Sequence, residues 1–144
     1  MTGNPNTMFG RWLALSVLLM TSTVFAQHDE NVLAAEKVSR SWLALTDAGQ
    51  YAESWDSAAS FFRAAITAED WVTALANART PFGAINSRET GSSTYSTALP
   101  GAPDGEYVVF VFNTSFSNKA AAVETVTAMK DLDGQWRVAG YFIR

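Results

Sequence analysis

After Gly83 the spacing of apolar residues changes period, and that change fixes most of what this chain can fold into. Upstream, apolar residues recur every three or four positions, the repeat of a helix with one buried face. Downstream, Val, Phe, Tyr and Thr alternate with small or polar residues in four runs, near 84–98, 106–116, 119–131 and 135–143. That two-residue repeat belongs to β-strands. The last three runs are joined through only "SNK" at 117–119 and "DLDG" at 131–134. Such short links connect antiparallel neighbours, because a parallel crossover needs a dozen residues or more. The expected class is therefore α+β: three N-terminal helices packed on a curved four-stranded antiparallel sheet.

The helices carry their own punctuation. Ala35, Val38, Trp42 and Leu45 form one apolar stripe, while Glu36 and Arg40 lie off it with the acid four residues before the base. Asp29 is the expected N-cap and Gly49 the expected stop. A second helix is expected within "YAESWDSAASFF", with Tyr51, Trp55 and Ala58 or Ala59 on one side. The third begins at a capping box, Thr67 with Asp70, and buries Trp71, Ala74, Leu75 and Ala78 before "TPFG" ends it.

The first residues stand apart. Arg11 precedes the apolar run "WLALSVLLMTSTVF", and Val24 and Ala26 give the small residues of a cleavage site. That pattern reads as a secretory signal over 1–26, leaving 27–144 as a single α+β domain. A membrane span would need about 20 apolar residues, and this run is shorter and diluted by Ser16, Thr21, Ser22 and Thr23. The expected location is periplasmic or secreted, with no stable membrane anchor after cleavage. No cysteine is present, so neither a disulfide nor a lipidated cysteine is available. The formal net charge is −4, and more negative still without Arg11. With no basic cluster, nucleic acid is not an expected partner.

Two turn-like motifs invite chemical readings. "PGAPDG" at 100–105 is rich enough in glycine to suggest a phosphate loop, but it leads into a strand and has no lysine nearby. It reads as a turn. "DLDG" spaces Asp131 and Asp133 like the first ligands of a calcium loop, yet the chain continues as "QWRVAGYFIR" and lacks the closing glutamate. It too reads as a hairpin turn, and no metal or cofactor is expected.

Catalytic groups are sparse. The single histidine, His28, falls in what reads as a mobile tail, which argues against a Ser-His-Asp triad. A carboxylate base in an apolar cavity is the remaining option, and Asp56 beside Trp55 or Glu124 on the third strand would supply it. The plainer alternative leaves Asp56 solvated and pairs Glu124 across the sheet with Arg137 or the Tyr141 hydroxyl. Trp42, Trp55, Trp71 and Trp136 read as core, although they would also suit a cavity for an apolar ligand. Trp55, Asp56, Glu124 and Arg137 are the pocket candidates.

Pairing Phe116 with Lys119 sets Val123 against Phe112 and Thr125 against Phe110, and pairing Lys130 with Gln135 carries that inner face through Trp136, Val138 and Phe142. The opposite face then holds Tyr107, Val109, Val111, Ala122, Glu124, Val126, Arg137, Ala139 and Tyr141. That is too apolar for a solvent face. Tyr107, Val109, Val111, Val126 and Tyr141 are the expected interface, with a second copy of the chain as the expected partner. The function expected is a non-catalytic binding module; an enzyme or carrier for a small apolar molecule is the alternative.

"SWLALTDAGQYAESWDSAA", "TPFG", "LPGAPDGEYVV" and "FSNKAAAVETVTAMKDLDGQWRVAGYFIR" together resemble the Domain of Unknown Function 4019 family of exported bacterial proteins. The order of elements is similar to cystatin-like and nuclear-transport-factor-2-like folds. The resemblance implies an exported α+β domain and carries no activity.

Overall fold

The computed structural model describes residues 18–144, with side chains from Val24 onward. The basic start of the expected leader, Arg11 included, lies outside the described residues. Helix α1 spans Leu18–Asp47 and passes without interruption through Asp29, which therefore caps nothing. The segment holds neither glycine nor proline, so no residue in it breaks the helix. Among the described residues, no helix is long and apolar enough to cross a membrane.

The stop of α1 is the expected one. Gly49 takes φ +73°, the left-handed conformation that glycine adopts freely, and Gln50 N–H donates back to Leu45 O at 2.9 Å. The second expected helix is two: α2 (Tyr51–Asp56) and α3 (Ser60–Ala65). The break falls where Ala59 N–H leaves the helical ladder to donate to Val138 O at 2.8 Å. Helix α4 (Ala68–Arg79) starts at the expected box: the Thr67 hydroxyl accepts from Asp70 N–H and donates to the Asp70 carboxylate. A short 3-10 turn at Thr80–Phe82 leads to the sheet.

Strands β1 (Ile85–Ser96), β2 (Tyr107–Phe116), β3 (Lys119–Lys130) and β4 (Trp136–Ile143) form one antiparallel sheet in that order. The core lies between its inner face and the helices. Val108, Phe110 and Phe112 of β2 meet Leu43, Trp42, Trp71 and Leu75, all buried. Fully burying each large side chain contributes about 1.5–3 kcal/mol. Three of the indole N–H groups are satisfied within this layer. Trp42 donates to Ser54 O, Trp71 to Ser54 Oγ, and Trp55 to Ile66 O.

The expected register of β3 is corrected. Phe116 does pair with Lys119, but β3 then carries one extra residue, so Thr114 pairs with Ala122 and Phe112 with Glu124. A one-residue slip exchanges the faces of every later side chain. Ala122, Glu124, Val126 and Ala128 thus point to the helices, and Val123 and Thr125 point away. Lys130 pairs with Trp136, not with Gln135. A second bulge, between the Thr127–Gly140 and Ala128–Val138 pairs, turns Tyr141 inward and Phe142 outward.

Candidate functional site

Six elements converge on one buried carboxylate. Glu124 of β3 is fully buried (0% exposed) and Arg79, the last residue of α4, is nearly so (5%). Oε1 of Glu124 accepts from Arg79 Nη1 at 2.9 Å and from the Tyr141 hydroxyl of β4 at 2.6 Å. Oε2 accepts from Arg88 Nε of β1 at 2.6 Å and from Thr114 Oγ1 of β2 at 2.6 Å. Asp47, the last residue of α1, bridges the same two arginines: Arg79 Nη2 reaches Oδ1, and Arg88 donates to both oxygens at 2.7 and 2.9 Å. The Arg79 guanidinium also lies over the Phe116 ring, 5.0 Å from its centroid.

The electrostatics follow from these contacts. Burial by itself would raise the Asp47 carboxyl, but hydrogen bonds and charge from Arg88 and Arg79 hold it below the usual carboxylate range. Burial, reinforced by the neighbouring Glu124, pushes the Tyr141 phenol upward, which keeps it a proton donor to that carboxylate. A carboxylate offers about four lone-pair sites, and Glu124 has four donors on them. None remains for a substrate proton.

The pocket candidates from the sequence do not come together. Glu124 is in the ion network. Arg137 sits on the opposite end of the sheet, clamping Asp133 at 2.7 Å through both terminal nitrogens and touching Asp131 at 3.3 Å. Trp55 is half-buried on α2, and Asp56 beside it is exposed. The Arg79–Asp47–Arg88 part of the network was not legible as a site, because Asp47 and Arg79 end two helices, Arg88 lies within β1, and no spacing links them. The "DLDG" carboxylates are engaged as turn groups: Asp131 accepts from Ser60 N–H and Oγ and from Leu132 N–H, which hold its pKa low against the opposing effect of burial. No group of acids and histidines that could hold a metal occurs among the described residues.

His28 is not in a loose tail. It rides on α1 with its ring edge-on to Tyr95, centroids 4.5 Å apart, beside a surface hollow that Asp29 and Ser93 also line. No hydrogen bond links the three among the described residues.

The interface candidates divide. Val109 and Val111 are half-exposed on the outer sheet face. Val126 and Tyr141 belong to the inner face, for the register reasons above. Tyr107 does face outward but is buried, because the 97–106 loop folds over it with Leu99 and Ala102 and its hydroxyl donates to Pro103 O. "PGAPDG" is thus a turn that also covers the end of the outer face, with Gly101 at φ +79°. In place of Val126 and Tyr141, the outer face gains Val123, Thr125 and Phe142, the last 77% exposed.

The class defined by these features is a small α+β domain whose helices cover one face of an antiparallel meander and are pinned to it by a buried ion network. Residues 38–141 match a family model described as "Protein of unknown function (DUF4019)", and the chain belongs to that family. The match runs from mid-α1 to Tyr141 and so includes every member of the ion network. No curated protein and no solved structure matches the chain.

Proposed function

We propose that the protein is an exported, non-catalytic binding module that pairs with a second copy of itself through the outer sheet face. The observation that carries this reading is the composition of that face. Val109, Val111, Val123, Thr125 and Phe142 occupy adjacent positions of β2, β3 and β4 with no charged residue among them. The centre of such a face can close without desolvating a charge, with Glu89 and Arg144 standing at its margin opposite Asn113 and Val123. Charge depletion is what sets interface centres apart from ordinary surface. The four-donor saturation of Glu124 supports the non-catalytic half of the reading, since a general base needs a free lone pair.

Native mass spectrometry of the protein from the exported fraction tests both parts. The expected spectrum is a dimer of chains that begin at Gln27. Phe142→Lys should give a monomer that unfolds at an unchanged temperature. A wild-type monomer at every accessible concentration retires the self-association, and an uncut chain retires the export.

A further inference from the structure

The apolar stripe of α1 is wider than the sheet that covers it. Ala35, Leu43 and Trp42 are buried against the core, but Val38 and Leu45 of the same stripe remain half-exposed. They form one wall of a groove of about 510 Å³. The opposite wall is Trp136 and Gln135 at the start of β4, with Ser57 from the α2–α3 link. On α1 the wall runs from Ala34 to Leu45, roughly 16 Å at 1.5 Å per residue. The volume lies within the range of small-molecule sites.

The polar groups at this groove have one character. Lys37 is its single charged side chain, and its ammonium makes no ion pair among the described residues, while neighbouring Glu36 is committed to Arg40 and Thr90. Trp136 is the one indole of the core whose N–H has no hydrogen-bond partner among the described residues, and the Gln135 side chain has none either. Ser41 and Ser57 already donate to backbone carbonyls. An apolar floor, free donors, one cation and no carboxylate are complementary to an amphipathic anion.

We propose that this groove binds a monocarboxylate with an apolar body, the body lying over Trp42 and Trp136 and the carboxylate meeting Lys37. The site is separate from the outer sheet face and does not depend on self-association there.

Titration calorimetry of the exported protein with decanoate, 1-decanol and decyltrimethylammonium tests it, with NMR of the Trp136 indole N–H to locate the ligand. Decanoate should bind one per chain, shift that indole signal, and exceed both other probes in affinity. Lys37→Gln and Ala34→Glu, both at exposed helical positions, should each weaken decanoate at least tenfold without altering thermal unfolding. Equal affinity for decanol or the cation, indifference to both substitutions, or no saturable binding would each overturn the proposal. Failure here leaves the dimer test standing, because that test reads subunit number alone.

Discussion

The Arg79 guanidinium and the Glu124 carboxylate meet at 2.9 Å, and neither has more than a trace of solvent contact. The pair joins the end of α4 to the middle of β3, and through Asp47 and Arg88 it extends to α1 and β1. A buried ion pair gains little over a packed apolar substitute, but removing one partner strands the other charge. Glu124→Gln should therefore lower unfolding free energy by about 3–5 kcal/mol, because two guanidiniums lose their shared counter-charge. Urea denaturation measures this; a loss below about 1 kcal/mol would mean that the network relaxes to water without penalty.

Acid should unfold the protein partly through Asp47. Its folded carboxyl is held below the ordinary value, burial working against this and the two arginines outweighing it. The unfolded chain thus takes up the proton first, near pH 4. The contribution is complete above that pH and is lost as pH falls through the lower folded value. Asp47→Asn should flatten the acid limb of a stability–pH curve by up to about 1.4 kcal/mol per pH unit. An unchanged limb would assign the acid sensitivity elsewhere, with Asp131 next in line.

Ser39 offers a gain. Its side chain is fully buried on α1, and its hydroxyl has no hydrogen-bond partner among the described residues. Burying an unpaired hydroxyl costs about 1–3 kcal/mol, and alanine is the better helix former. Ser39→Ala should raise stability by about 1 kcal/mol, read as a higher denaturant midpoint at unchanged slope. A lower midpoint would show that the hydroxyl is in fact satisfied.

The element order was legible because period and punctuation agreed. Gly49, the Thr67–Asp70 box, "SNK" and "DLDG" each mark a boundary that the backbone observes. The faces of β3 were not legible. Its first residues after the turn include Ala120, Ala121 and Ala122, whose side chains are too small and alike to reveal which one is the extra residue of a bulge. Everything downstream then inverts, and a glutamate enters the core where a valine was expected. Sequence rules disfavour that inversion, because they weigh Glu124 alone. The two arginines that make its burial tolerable come from α4 and β1, 45 and 36 residues away in sequence.

Adjacent substitutions on β3 separate the two registers directly. In this sheet Thr125 pairs with Val111 and Phe142 on the outer face, whereas Val126 pairs with Phe110 and Tyr141 and is fully buried. Thr125→Lys should leave folding intact, since its ammonium can reach water, and should abolish the proposed dimer by placing a charge at the centre of the closing faces. Val126→Lys should prevent folding, because a cation in that layer has no counter-charge to spare: the acceptor sites of Glu124 are filled, and Asp47 already serves two arginines. Circular dichroism and sedimentation of the two variants decide the matter. If Thr125→Lys unfolds the protein and Val126→Lys does not, the inner and outer faces of β3 are exchanged, and the outer-face dimer falls with them.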